Sequence, residues 1–535
     1  MIKHLIFAAC IIGNITYSFA QSKEDVTFTL YLNKPVQQIR NIGASGCWYS
    51  EEIGKHWPAN QKNRIAELLF SRETDKAGQP RGIGLSAFRF NIGAGTAEQG
   101  SNSGIRDTAH RVEGFLTDNG TYNWNKQQGY IWMLRQAKAY GVKDLIAFLN
   151  SPPVQLTKNS LGFKLVNDGL SNLKEDKYEA YGNYLVDVMK YFDTQKLHFN
   201  YISPVNEPQW DWTGKMGEAK QEGSPWQNEE IYKAVIVLNH SLENKKSSTK
   251  ILITEAAMLN HLYAKNVKAS RQIESFWNPA SNLYLGNLSH VTPFVEGHGY
   301  FTEKGDSSLL NARQSLKDTL KRYNAKLEYW QSEYSMLGDG YKESTAEKRT
   351  AIDCALFLAK VIHHDFAVGN ATAWHYWNAY EPGSADFDTR YYLIAMNSNR
   401  AYGPSNFYTV TKNLWALGHY SLFVRPGMYR IETGRNDKLT EMQAAQQIMI
   451  TAFKDSLGKT LIVNAINYST EDKNIKLVQQ GLKGKPLRLS KNYLTSGKAG
   501  DDLKLYTVGK SNYAAGKESQ VKLPARSIST FVYIL

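Results

Sequence analysis

The chain has 535 residues, 42% of them hydrophobic and 21% charged, and a formal charge of +13. That length exceeds one ordinary domain, and the proportions are those of a folded globular protein, which excludes a disordered or low-complexity class. The positive charge is spread over scattered lysines, as in Lys245-Lys246 and Lys483-Gly484-Lys485, so the reading is a solvated basic surface and no nucleic-acid partner.

In chain order, residues 1–20 read as a signal peptide. Lys3 and His4 precede an apolar run over 5–15, and Ser18-Phe19-Ala20 suits cleavage before Gln21. A secreted or periplasmic protein is expected. Cys10 comes too early in the apolar run for lipid attachment, so a cell-surface lipoprotein is the lesser alternative. No later stretch qualifies as a membrane span. Beyond the signal peptide only Cys47 and Cys354 remain, which is no disulfide framework; two separate buried thiols are expected.

Residues 21–39 hold an alternating strand, and from 40 to 424 strands and helices alternate. Strands are predicted over 40–48, 85–93, 144–150, 197–205, 250–255, 291–298, 327–332 and 371–377. Helices are predicted over 124–140, 177–192, 227–242, 307–323, 347–368 and 406–417. This pattern fits an α/β fold, a (β/α)8 TIM barrel with long loops. A doubly wound open sheet is the alternative, but no glycine-rich phosphate loop follows the first strand. Residues 425–535 turn to short strands separated by Gly, Asn, Asp and Lys. They predict an appended antiparallel β-sandwich, which the strand near residue 26 joins, so both chain ends meet in one domain.

Two strand ends carry the chemistry. Asn206-Glu207-Pro208 closes the fourth predicted strand, and Pro208 forces it to stop. Glu333, in Tyr329-Trp330-Gln331-Ser332-Glu333-Tyr334, closes the seventh. The carboxyl ends of barrel strands are where catalysis occurs, and two carboxylates facing one cleft are what glycoside hydrolysis requires. Asn206 is placed to donate to a sugar hydroxyl. Arg89 lies in an otherwise apolar strand and needs a buried carboxylate partner, which it would keep ionised. His298 and Tyr300 end the sixth strand; Tyr300 is expected to bond a carboxylate and His298 a sugar hydroxyl. Trp48, Trp210 and Trp374 are the candidate sugar platforms. No convergent set of metal ligands stands out, so no metal and no cofactor are expected. No serine elbow of the esterase type is present.

These residues carry a resemblance. Asn206-Glu207-Pro208 with Glu333 matches the clan A retaining glycosidases. Gly-Ala-Ser-Gly at 43–46, Phe-Arg-Phe-Asn-Ile-Gly-Ala-Gly at 88–95 and Asn150-Ser151-Pro152-Pro153 resemble glycoside hydrolase family 30, in the branch containing endo-β-1,6-galactanases. The resemblance covers nearly the whole mature chain, to Leu-Pro-Ala-Arg-Ser at 523–527. It implies that Glu207 is the acid/base and Glu333 the nucleophile. It also implies a polysaccharide or oligosaccharide substrate, foremost a β-1,6-galactan. Relatives acting on β-1,6-glucan, xylan or β-fucosides are the alternative, and a non-catalytic glycan-binding protein is the distant one. The loop at Val154-Gln155-Leu156 departs from the family pattern, where a Trp and a Met are usual, which implies an altered sugar subsite.

Overall fold

A computed structural model describes residues 26–265, 269–337, 350–383, 391–397, 407–481, 486–506 and 518–535. The expected signal peptide lies outside the described residues.

After β1 (Val26–Gln38), eight strands build one parallel sheet: β2 (Asn41–Ser45), β3 (Ala87–Asn91), β4 (Asp144–Phe148), β5 (Tyr201–Ser203), β6 (Lys250–Ile251), β7 (Phe294–His298), β8 (Glu328–Tyr334) and β9 (Ala373–Tyr376). Their order is β6-β5-β4-β3-β2-β9-β8-β7, so neighbours in sequence are neighbours in space and the last strand lies beside the first. Isolated parallel bridges, Ile251–Val291 and Ala256–Gly297, link the segments of β6 and β7. Every residue of β2, β3, β4 and β7 is buried, which is why these strands read as apolar runs rather than alternating ones.

Side chains alternate along each strand, and that alternation stacks layers. Ala87, Ile146, Leu252, Phe294, Trp330 and Ala373 form one buried apolar cluster. Two residues further along their strands, on the same face, stand Arg89, Glu296 and His375. Two further again stand Asn91, His298 and Trp377. An apolar plug thus lies beneath a polar and charged layer.

The eighth strand breaks the alternation. Gly297 pairs with Gln331, but His298 pairs with Glu333; on the other edge Gln331 pairs with Trp374 and Tyr334 with Tyr376. Ser332 is the extra residue of a β-bulge. An unbulged strand would put Glu333 on the opposite face from Trp330; the bulge returns it to that face.

A three-stranded sheet follows, β10 (Tyr380–Gly383), β11 (Ile394–Asn397) and β12 (Tyr408–Val410). The second large sheet holds β1 with β13 (Tyr429–Arg435), β14 (Ile448–Lys454), β15 (Thr460–Asn467), β16 (Lys473–Gln480), β17 (Arg488–Ser496), β18 (Lys504–Tyr506), β19 (Glu518–Leu523) and β20 (Ser527–Ile534). Its order is β18-β17-β20-β15-β14-β13-β1-β16-β19. Its pairs are antiparallel except one: β1 runs parallel to β16 while pairing antiparallel with β13. The Tyr533 hydroxyl of β20 lies 3.0 Å from the Ser519 hydroxyl of β19, although five strands separate them in that order. The sheet therefore folds over a core that includes Phe28, Leu30, Val463, Leu477 and Phe531. The helix Ala351–Ala367 is buried all round from Cys354 to Phe366, between the parallel sheet and this one. Cys47 and Cys354 are separate buried thiols.

Three expectations are corrected. The apolar run 197–205 is extended only at Tyr201–Ser203, and the run 250–255 only at Lys250–Ile251. The helices Ser50–His56 and Ala59–Phe70 had no counterpart in the sequence reading. Trp124, the expected start of the helix over 124–140, precedes that helix, which runs over Gln128–Ala139, and stacks on Tyr191 at 4.2 Å.

Two glycines let the helices Ser50–His56 and Gln128–Ala139 touch. A Cβ on Gly54 would stand 2.1 Å from the Gly129 carbonyl oxygen, and one on Gly129 would stand 2.1 Å from that of Glu51. Backbone cannot give way as a side chain can. Gly54→Ala is therefore expected to cost about 1–3 kcal/mol by forcing the helices apart. A chemical-denaturation curve matching the parent would refute this account of the crossing.

Candidate active site

The site forms where four strand ends converge on two cations. Arg89 of β3 is buried, and its Nη1 donates to Glu333 Oε2 at 2.6 Å, while Nη2 lies 3.5 Å from Glu255 Oε1. Its guanidinium also sits over the Phe148 ring, 4.3 Å from the centroid. His298, ending β7, places Nδ1 2.9 Å from Glu207 Oε1 and 3.4 Å from Glu333 Oε1, and Nε2 3.2 Å from Glu255 Oε2. Tyr300 Oη donates to Glu333 Oε1 at 2.9 Å. One atom each of Glu207, His298 and Glu333 lie within 4.8 Å of one another.

Local backbone aims these groups. Glu207 and Glu255 both follow short strands with positive φ, 46° and 34°, a region L-residues rarely adopt without support. The support is visible. The Glu207 amide donates to the Glu255 carbonyl at 2.9 Å, and the Trp212 indole donates to the Glu207 carbonyl at 3.0 Å. Ser203 of β5 donates to Glu255 Oε1 at 2.6 Å.

Electrostatics follow from the charge count. Burial opposes the charge on His298, but Glu333, with the hydrogen bonds that the ring donates to Glu207 and Glu255, pushes its pKa up to about 10. Burial likewise opposes ionisation of Glu255, yet Arg89 and His298 hold that carboxyl well below the usual range. Glu333 goes the other way: burial pushes it up, against His298 and Arg89, and the charge of Glu207 adds to the rise. Arg89 thus keeps Glu255, rather than Glu333, depressed. Glu296, pushed up to about 8 by burial and by Glu255, is a neutral acid that accepts three hydrogen bonds from Ile253 and Thr254.

The sequence-derived candidates sort as follows. Arg89, Glu207, His298, Tyr300 and Glu333 come together. Both ring nitrogens of His298 are engaged by carboxylates, so its expected bond to a sugar hydroxyl is replaced by a bridging role. Asn206 is buried beside Glu207, and its Nδ2 donates to Asn150 Oδ1 at 3.0 Å. Trp210 is half-exposed on the loop beyond Glu207, edge-on to Phe301 at 6.4 Å. Trp374 is corrected: it is wholly buried on the outer face of β9, its indole N–H donating to Asp365 at 2.9 Å, and it reaches no cleft. Trp377, two residues beyond His375 and on the face opposite Trp374, stands edge-on to Trp48 at 5.3 Å. The sequence reading missed Glu255, whose signal was present: Thr254-Glu255 ends a predicted strand, as Asn206-Glu207 does.

Two groupings have metal-ligand spacing, Glu207–His298–Glu333 and His363–His364–Glu441. In the first, the ring nitrogens of His298 are already engaged by Glu207, Glu255 and Glu333. In the second, His364 is held neutral by burial among His363, Arg313 and Lys360, surroundings that repel a cation.

A sequence model described as O-glycosyl hydrolase family 30 matches residues 25–388. An endo-β-1,6-galactanase of Hypocrea rufa is 22% identical over 378 residues, covering 67% of this chain and 68% of that one. The glucuronoxylanase XynC of Bacillus subtilis (strain 168) is 23% identical over 462 residues, 84% of this chain and 87% of that one. The crystal structure of a conserved exported protein from Bacteroides fragilis superposes with a TM-score of 0.83 at 30% identity, covering 95% of this chain and 100% of that one.

Glu255→Gln tests the network. Losing one member of a buried ion pair is expected to cost about 3–5 kcal/mol. The histidine term has a definite sign. The folded pKa of His298 lies above that of an unfolded imidazole. Its stabilisation is therefore full below about pH 6.5 and is lost as pH rises through about 10. With Glu255 neutral, that loss should begin at lower pH, and the alkaline limb of activity should move with it. Unchanged stability and an unchanged alkaline limb would show that Glu255 does not hold His298 in its charged form.

Proposed function

Because the chain belongs to O-glycosyl hydrolase family 30, whose relatives act on β-linked polysaccharides, we propose that it is a secreted retaining glycosidase with β-1,6-galactan as its substrate. The observation that carries the mechanism is the proximity of Glu207 and Glu333, whose nearest oxygens lie within 4.8 Å. Retaining enzymes hold their carboxyl groups about 5–5.5 Å apart, and inverting ones about 6.5–9.5 Å to admit a water. The sheet is read as a closed (β/α)8 barrel, with the bridges between the β6 and β7 segments supporting closure.

In this reading Glu333 attacks the anomeric carbon. Arg89 and Tyr300 fix its two oxygens, so the attacking lone pair is aimed before substrate arrives. Glu207 gives its proton to the leaving oxygen. Esterification removes the negative charge of Glu333 and with it the repulsion on Glu207, which ends the step ionised and takes a proton from the incoming water. His298, charged throughout, balances the pair.

The galactanase relative supports galactan as the substrate. A second reading, glucuronoxylan, has support from the Bacillus relative, which matches more of the chain. The altered loop, Val154–Leu156, is packed: Val154 N donates to Ala94 O at 2.8 Å and Gln155 reaches Leu116 and Asp118. It leaves one platform fewer on that side. Secretion is proposed from residues 1–20, and the exported Bacteroides neighbour agrees with it.

Two experiments test the proposal. Glu333→Gln should abolish turnover of every substrate. Glu207→Gln should still form the glycosyl ester from a dinitrophenyl glycoside and yield a β-azide product when azide is added. A β-azide product from Glu333→Gln instead would exchange the roles, and inverted products by NMR would reject the retaining mechanism. Incubation with de-arabinosylated arabinogalactan, β-1,6-glucan and glucuronoxylan in parallel should release sugars from the first. Release from xylan or glucan alone would discard the galactan assignment while leaving the mechanism intact.

A further inference from the structure

A cavity of about 370 Å³ lies where the two large sheets meet, at the end of the parallel sheet remote from the reacting carboxylates. Three segments line it: Arg72, just past the helix Ala59–Phe70; the link 422–428 that leads into β13; and the turn between β14 and β15, with Asp455, Ser456 and Thr460. Backbone bonds fix its place. Gly427 N donates to Ile39 O and Ile39 N to Met428 O, both at 2.8 Å. Ile39 stands two residues before β2, so the cavity lies at the amino ends of the strands, whereas His298 stands at the carboxyl end of β7. In β/α barrels the amino end serves stability rather than chemistry.

Two arginines line this cavity without a counter-ion. Gly84 lets them approach each other: a Cβ there would stand 2.9 Å from Arg72 Cγ and 3.5 Å from Arg425 Nη1. Arg425 Nη1 donates to the carbonyl of Gly84 and, at 2.5 Å, to that of Ser421, the last residue of the helix Lys412–Ser421. One nitrogen thus caps a helix end. The rest of the fork is idle. Among the described residues, Arg425 Nε and Nη2 and the whole Arg72 guanidinium make no hydrogen bond and no ion pair. Asp455 is out of ion-pairing reach of both, and its Oδ1 accepts from the Lys459 amide at 2.8 Å.

That leaves an imbalance of charge. Burial and the like charge of Arg72 press the Arg425 guanidinium down to about 10, which still leaves it charged at neutral pH. A partly buried cation is costly without a partner, and here the neighbouring charge repels it. Arginine forks match the oxygens of an oxyanion through paired N–H bonds. The Ser456 and Thr460 hydroxyls, likewise without a partner among the described residues, can donate to the oxygens that remain. Arg72 is exposed, so the site is open to solvent.

We propose that the Arg72–Arg425 cavity binds a phosphate or sulfate group, which ties the end of the helix Ala59–Phe70 to the turn between β14 and β15 and so clamps the two large sheets together. The proposal is independent of the glycosidase reading. The group is either a free ion or one carried on a sugar.

The test is titration calorimetry of the whole protein with inorganic phosphate, in chloride buffer of low, fixed ionic strength, because such contacts are screened by salt. One saturable site is expected. Arg72→Gln should weaken it about tenfold, the worth of a charged hydrogen bond. Arg72 is exposed, so that variant should fold; Arg425→Gln is the second, with its fold checked by circular dichroism. Phosphate should also raise the Tm of the parent and leave that of both variants in place, since a ligand stabilises only the state that binds it. Glucose 6-phosphate is titrated in parallel. Tighter binding than phosphate identifies a sugar-borne group as the occupant, and equal or weaker binding identifies the free ion. No saturable binding of either probe, undiminished binding in Arg72→Gln, or a thermal shift that the variants share would overturn the proposal.

Discussion

Two buried cations facing three buried carboxylates is the constraint on which the site depends. Arg89 and His298 are each wholly or nearly excluded from water, as are Glu255 and Glu333. Removing such charges from solvent is costly unless they are paired and hydrogen-bonded. Here each partner needs the others: Glu255 bridges Arg89 and His298, and His298 bridges Glu255 to both Glu207 and Glu333. With three carboxylates against two cations, one negative charge is in excess. A pair of carboxylates that keeps one proton between them is the starting condition that the proposed double displacement requires. The geometry of the cluster and its chemistry therefore have one cause.

Holding that cluster falls to the backbone. Strained φ angles at Glu207 and Glu255 turn the chain sharply just past β5 and β6, and the bulge at Ser332 rotates Glu333 inward. Beneath them the apolar plug of Ala87, Ile146, Leu252, Phe294, Trp330 and Ala373 excludes water from below. Rigid strands on a dry base keep the carboxylates in place before substrate binds, so little reorganisation is left for the reaction itself. Glu296 illustrates the balance. A fourth carboxylate in the same layer is accommodated only as a neutral acid bonded to backbone amides.

The charged layer comes from the strands, and the family relationship speaks to it. Beyond it the helix Ser50–His56 is held close to the helix Gln128–Ala139 by the Gly54–Gly129 contact. Relatives of similar identity, one a β-1,6-galactanase and one a glucuronoxylanase, match this chain.

Much of this was legible from residues alone. The alternation of apolar runs with helical periods located all eight parallel strands, since burial on both faces leaves a continuous apolar signal. Glu207 was legible because Pro208 ends its strand, and the need of Arg89 for a carboxylate followed from a lone charge in an apolar run. Tertiary structure decided the rest. The strand period alone would have turned Glu333 to the wrong face, because a bulge depends on pairing with neighbours and leaves no mark in a single strand. Trp374 and Trp377 are equivalent as residues; only the face each occupies sends one to Asp365 and the other to Trp48. Glu255 became part of the site when three strand ends met, and His298 became a bridge rather than a sugar ligand for the same reason. Local sequence determines which groups can carry charge and where strands stop. Which charges share one low-dielectric space is a property of distance in three dimensions, and so of the fold.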